Sequence, residues 1–294
     1  MKKHVRHIRM FPPHMTSGST GVACFRFPWI LALVLCVIII LFSCTSALAD
    51  PEKIVIYFYS AEANINNFKY LKMEFDRYLS QFGDYEFQPF SDRKTFEDHV
   101  KGKTQSLLLL SSWHYTNIYQ DYSLLPLLVG VRNGRTSQKR VLVSTSSSDD
   151  IATVKTGQIA SASSIQHTTS TLARIFQEEE ATATYKILTV PKDIDALMSV
   201  GFGMAKSALI TENSFESLKT INPPLYKKLN IVAESEETLL LIVAVPESFA
   251  QGAQQLIHIL ETMSADPDGE KKVRILGLDG WQPLTPSDES KLEG

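Results

Sequence analysis

The sequence predicts a two-lobe α/β protein, and three observations lead there. Apolar, β-branched runs alternate with amphipathic helical runs along nearly all of the chain after residue 52. A second β/α set after residue 135 has an apolar supply of its own, separate from the first. The 294 residues, 44% of them hydrophobic, are enough for two modest lobes.

The elements follow in order. Lys53–Tyr59, "KIVIYFY", reads as a buried strand. Ile65, Phe68, Leu71, Phe75, Leu79 and Phe82 recur every three or four residues and mark one face of a helix. Gly83 stands where a C-terminal cap belongs. Tyr85–Pro89 is a second strand, Phe96 and Val100 mark a short helix ending near Gly102, and Ser106–Leu110 is a third strand. This β-α-β-α-β order implies parallel strands with helices on both faces. "NGR" at Asn133–Arg135 is a turn. Strands are expected at Lys139–Val143, Gln158–Ala160, Tyr185–Val190 and Ser207–Ile210. Helices are expected from the hydroxyl cluster to about Glu180 and at Ile194–Val200. Leu239–Val245 is a further strand and Phe249–Met263 a long amphipathic helix. The chain therefore crosses near residue 135 and returns near 240. Lobe 1 is expected from 50–135 plus 241–294, and lobe 2 from 136–240.

Residues 1–49 read as a leader. Lys2, Lys3, Arg6, Arg9 and Arg26 precede Trp29–Phe42, an unbroken apolar run. That run is short for a membrane span and right for a signal-peptide core. "ALA" at Ala47–Ala49 offers a cleavage site before Asp50, and "LFSC" ending at Cys44 offers a lipidation site. Soluble export is preferred over lipidation, and an uncleaved anchor is the third reading. The expected location is periplasmic or exported. Cys24, Cys36 and Cys44 all lie in the leader, so the exported part has no thiol or disulfide chemistry. The leader carries five of the 29 basic residues and no acid, leaving 24 against 32 acids, or −8. Bulk charge therefore excludes nucleic acid as a partner.

Catalytic signatures are poor. There is no nucleophile elbow, Walker loop or dinucleotide turn, and the histidines outside the leader lack metal-ligand spacing. No enzyme activity, cofactor or metal is expected. In parallel sheets, ligands collect beyond the carboxyl ends of strands. Two segments qualify: "SSWHY" at Ser111–Tyr115, and "QHTTSTL", where Thr168, Thr169 and Ser170 precede the apolar periodicity Leu172–Ile175–Phe176. A helix start offers free N–H groups to an anion. A run of hydroxyls there suits a small oxyanion better than it suits a single cap. Local N-capping is the competing explanation. Tyr57, Tyr59 and Ser60 end strand one and reach toward the same place, with packing as the alternative.

"SSWHY", "QHTTSTL", "DIDALMSVGFGMAKSALIT" at Asp193–Thr211 and "GLDGWQPLT" at Gly277–Thr285 occur in an order that resembles the phosphate/phosphonate periplasmic substrate-binding proteins of ABC importers. The resemblance covers most of Lys53–Thr285. It implies a type II periplasmic-binding clamshell, with a mixed, mostly parallel sheet flanked by helices in each lobe. It implies a small oxyanion trapped between the lobes (phosphate, phosphite or phosphonate-like) and delivered to the membrane permease of an ABC importer by a monomer. It places the oxyanion on Thr168, Thr169 and Ser170, with lobe-1 contacts from Ser111, Ser112, His114 and Tyr115. His167 adds a donor if protonated, so affinity should rise below about pH 6.5. Gly203 stands where the family carries an acid for the ligand's amine, which disfavours cationic aminophosphonates. A ligand-sensing module of the same fold, signalling to a membrane partner, is the alternative. A hydrolase using His114 or His167 is a third reading.

Overall fold

The computed structural model describes residues 53–62, 67–145 and 151–292, all within the unit Glu52–Gly294. The expected leader, with Cys44 and Ala47–Ala49, lies outside the described residues, as do Ile65 and much of the Ser144–Ser148 turn. Among the described residues, no helix is long and apolar enough to cross a membrane.

Strand β1 (Ile54–Tyr59) pairs in parallel with both β2 (Tyr85–Pro89) and β3 (Ser106–Ser111). Helix α1 (Phe68–Leu79) connects the first two strands. The Asn67 side chain caps it by accepting the Tyr70 N–H at 2.9 Å. Its periodic face buries Leu71, Phe75, Tyr78 and Leu79. Phe75 stacks on Phe87 of β2 at 4.3 Å, and Phe58 of β1 meets the same ring at 5.7 Å. Burying each such ring stabilises the fold by about 1.5–3 kcal/mol. On the opposite face, Phe96 of α2 (Arg93–Val100) packs against Tyr59.

Three strands complete this sheet from farther along the chain. β4 (Leu124–Val131) leads to the expected turn, where Asn133 and Gly134 both take positive φ, 51° and 72°. Asparagine and glycine accept that conformation at least cost, and the turn closes an Arg132–Arg135 bridge. The full order is β13-β4-β12-β3-β1-β2, with β12 (Leu241–Pro246) and β13 (Gly280–Pro283). β12 is antiparallel to both its neighbours, and β13 is antiparallel to β4. The parallel expectation thus holds for β1–β3 and not for the strands on the return path.

The second sheet has the order β10-β6-β9-β7-β8. Its strands are β6 (Arg140–Ser144), β7 (Gln158–Ser161), β8 (Lys186–Thr189), β9 (Ser207–Thr211) and β10 (Asn230–Glu234). β7 is parallel to β8 and β9, while β6 is antiparallel to β9 and β10. Helices α4 (Ile151–Thr156) and α5 (Ile165–Phe176) cover one face. Helices α6 (Asp193–Gly201), α7 (Glu212–Ile221) and α8 (Pro223–Tyr226) cover the other. Between the sheets, β5 (Ser137–Gln138) pairs antiparallel with β11 (Thr238–Leu239). The first sheet therefore draws on residues 54–131 and 241–283, and the second on 140–234.

The long helix expected at Phe249–Met263 is corrected. A 3₁₀ turn at Glu247–Phe249 is followed by α9 (Gln254–Thr262). The Phe249 ring lies over Gly252, where a Cβ would meet it at 2.6 Å, so the chain turns there before the helix starts. Helix α10 (Pro267–Ile275) then returns to α1, where buried Lys272 bonds Glu74 at 2.7 Å.

Candidate functional site

The carboxyl ends of β1, β7 and β9 meet between the two sheets and border a cavity of about 350 Å³. Ser60 and Glu62 enter from beyond β1, and Ala162 from beyond β7. Lys192 and Asp193 enter from the start of α6, and Thr211 from the end of β9. Arg132, Gln138 and Arg140 come from the crossing segment. The apolar part of the wall is Phe58, Leu240, Leu241 and Ile275–Leu278.

The polar groups are ordered by specific bonds. Asp193 accepts from both the N–H and the hydroxyl of Thr211 at 2.9 Å. Arg132 donates to Gln138 Oε1 at 3.2 Å and to the Gly277 carbonyl. Arg140 is 2% exposed, although it opens a strand of wholly buried residues. Its Nη2 reaches the Glu62 carbonyl at 3.4 Å and Glu62 Oε2 at 3.3 Å. Its Nη1 is buried and has no partner among the described residues.

A second set of contacts joins the halves beside this cavity. Helix α3 (Ser112–Ile118) contains most of "SSWHY". Its Trp113 Nε1 donates to Ser170 Oγ of α5 at 3.1 Å, and its ring meets the His167 ring edge-on at 5.3 Å. The Arg93 guanidinium lies over the same indole at 5.1 Å.

The hydroxyl run is not the helix opening. Ser164 is the N-cap of α5, accepting the His167 N–H at 3.2 Å, so the chain becomes helical three residues before Thr168. Thr168, Thr169 and Ser170 fall in the second turn. Thr168 is buried and donates to Ser161 Oγ at 3.0 Å. Ser170 donates to Glu180 at 2.8 Å and accepts from Trp113. Thr169 is half-buried.

The expected donor from protonated His167 is also corrected. The ring is 3% exposed, and burial holds its pKa well below 6.5, aided by the charges of Arg140 and Arg174. Burial therefore favours the neutral ring.

The remaining sequence-derived residues are placed as follows. Ser111 caps α3 by accepting the His114 N–H at 3.3 Å, and Ser112 donates to the Leu239 carbonyl at 2.7 Å. His114 is fully buried between Tyr59 and Phe96, with Nε2 2.9 Å from Glu97. Burial lowers its pKa to about 4. Tyr115 donates to the Leu124 carbonyl at 3.2 Å inside the core. His114 and Tyr115 therefore do not line the cavity. Tyr59 is buried and hydrogen-bonds Ser164 across the junction. Gly203 follows α6 at the end opposite Asp193, so its lack of an acid carries no weight against an amine. Among the described residues, no group of three His, Cys, Asp or Glu side chains is placed to hold a metal ion.

Sequence reasoning missed Glu62, Gln138, Arg140, Lys192 and Asp193. One signal was available for Arg140. It is a charge that begins "RVLVS", a strand with no exposed face.

A family model described as ABC transporter, phosphonate, periplasmic substrate-binding protein matches residues 70–288. No curated protein sequence matches the chain. Among solved structures, the chain is similar to XAC2383 from Xanthomonas citri bound to chloride ion. That match has a TM-score of 0.62 at 14% identity, over 82% of this chain and 95% of that one. It is also similar to a binding-protein component of an ABC phosphonate transporter from Pseudomonas aeruginosa, with a TM-score of 0.60 at 13% identity over 82% and 86%. The third is PhnD1 from Prochlorococcus marinus in complex with methylphosphonate, with a TM-score of 0.58 at 10% identity over 82% and 96%. At these identities the structures show the fold, a type II periplasmic-binding arrangement, and not the ligand.

Proposed function

The chain belongs to the phosphonate family of periplasmic substrate-binding proteins of ABC transporters, and from that premise we propose that it captures a small oxyanion between its two halves and delivers it to an importer's permease. The family is one of substrate-binding transport proteins rather than enzymes, and its members are periplasmic. Export of this chain through its leader, as a monomer, is part of the proposal. The apolar core Trp29–Phe42 supports it.

One observation carries the ligand class. Arg140 is a buried cation at the cavity; its Nη2 reaches Glu62, and its Nη1 has no partner among the described residues. A buried charge is tolerated only when it is paired, and a bound anion would complete the pairing. Lys192, exposed at the rim, adds positive charge along the approach. In this reading the donors are Gln138, Arg140, Ser163 and Ser164. Ser170, through Trp113, helps hold the halves together, and Thr168 secures α5 against β7.

The test is thermal unfolding of the full chain with phosphate, phosphite, methylphosphonate, sulfate and molybdate. A ligand at a hundredfold its Kd adds about 2.7 kcal/mol of stability. Arg140→Gln is expected to erase that gain for every anion that gives it. A variant that still folds and responds as fully as the parent chain would place the ligand elsewhere.

A further inference from the structure

We infer that Glu62 is a built-in substitute for the ligand: its carboxylate and the neighbouring carbonyls occupy the anion-recognising donors, and a captured oxyanion must displace them. The inference rests on the oxyanion reading above and adds how that site is regulated.

Four donors are turned toward the segment that follows β1, while Arg140 Nη1 is left without a partner among the described residues. The Ser164 N–H, at the start of α5, donates to the Ala61 carbonyl at 2.7 Å. The Ser163 hydroxyl donates to the Glu62 carbonyl at 3.3 Å. Gln138 Nε2 donates to Glu62 Oε2 at 2.8 Å. Arg140 Nη2 reaches the same carboxylate oxygen at 3.3 Å. These donors belong to the second sheet and the crossing segment, whereas the acceptors belong to the first sheet. The contacts therefore also strap the halves together.

A purely structural ion pair would be built differently. Arginine and carboxylate normally meet as a two-pronged fork at about 2.7–2.9 Å. Here the approach is longer and single-pronged. Glu62 Oε1 and Arg140 Nη1 are both buried, and neither has a partner among the described residues. Leaving such atoms unsatisfied costs about 1–3 kcal/mol each, more when they are charged. A loosely fitted carboxylate on a buried guanidinium is easily exchanged for an anion of better geometry.

The consequence is a tax on affinity. Only molecules with the strap released can take up ligand, so the apparent Kd is the intrinsic one divided by the released fraction. If about a tenth of the molecules are released, affinity is lowered about tenfold. In exchange, the strap holds the halves against each other when no ligand is present.

The test uses the full chain and Glu62→Gln, which keeps the shape and removes the charge. Two quantities are read: binding of inorganic phosphate, sulfate and methylphosphonate by calorimetry, and amide hydrogen exchange at Ser164 without ligand. The variant is expected to bind phosphate about tenfold more tightly and to exchange Ser164 faster. Unchanged exchange at Ser164 would overturn the strap whatever the affinity. Faster exchange with unchanged or weaker phosphate affinity would overturn the competition. If neither chain binds phosphate, sulfate or methylphosphonate, the oxyanion reading falls and the competition with it. The Ser164 exchange then shows separately whether Glu62 holds the halves.

Discussion

Trp113→Ala is expected to destabilise the chain by about 3–5 kcal/mol, the range for removing a buried tryptophan or phenylalanine. The indole joins two helices that lie far apart in sequence, α2 and α5. Its N–H donates to Ser170, its edge meets His167, and Arg93 covers its face. Truncation leaves a cavity at the junction and removes a donor from Ser170. It also removes the surface that Arg93 lies on. Trp113→Phe keeps most of the packing and loses the hydrogen bond, so its cost should be nearer 1 kcal/mol. Urea unfolding of both variants measures the difference. Small-angle scattering of the alanine variant without ligand should show a larger radius of gyration, because one of the contacts between the halves is lost. An unchanged unfolding midpoint would mean that the Trp113–Ser170 contact does not exist in solution.

How much of this was legible in the sequence depends on how far apart the interacting residues lie. Periodicity located Tyr85–Pro89 to the residue and Ser106–Leu110 to within one, because side-chain alternation and local apolar runs are encoded within a few positions. The direction of β12 was not legible. A buried strand carries no mark of whether it returns parallel or antiparallel, and that is set by where the chain re-enters the sheet. Helix α5 was found, but its start was misplaced. "SSIQHTTSTL" offers several hydroxyls, and any of them can cap. Ser164 takes that role and leaves Thr168 and Ser170 to bond inside the protein. The pair at the centre of the cleft was out of reach for another reason. Glu62 and Arg140 are 78 positions apart, and neither belongs to a motif. A charge heading the fully buried strand β6 was the one local clue, since such a residue needs a partner from elsewhere.

Acid should weaken the fold well before its carboxylates titrate. His114 is buried beside Tyr59 and Phe96, and burial lowers its pKa to about 4. His167 is shifted in the same direction, again chiefly by burial. In the unfolded chain both rings take up a proton near pH 6.5. Above that pH both states are neutral, and the full stability is present. Between about 6.5 and 4 the unfolded state binds protons that the folded state refuses, so stability falls as pH falls. His114 alone then accounts for a loss of about 3 kcal/mol across that window. Glu97 bonds His114, and its own pKa is lowered, so its contribution is lost only at lower pH. Urea midpoints at about pH 7 and pH 4.5 measure the effect. His114→Gln, which keeps a donor for Glu97 and cannot titrate, should flatten the profile by that amount, leaving the slope that belongs to His167. Acid therefore acts on this protein by unfolding it around its buried imidazoles and not by adding a positive donor for the ligand. Anion affinity that rose from pH 7 to pH 6 while stability stayed level would require both rings to be solvated in the folded state, which their burial opposes.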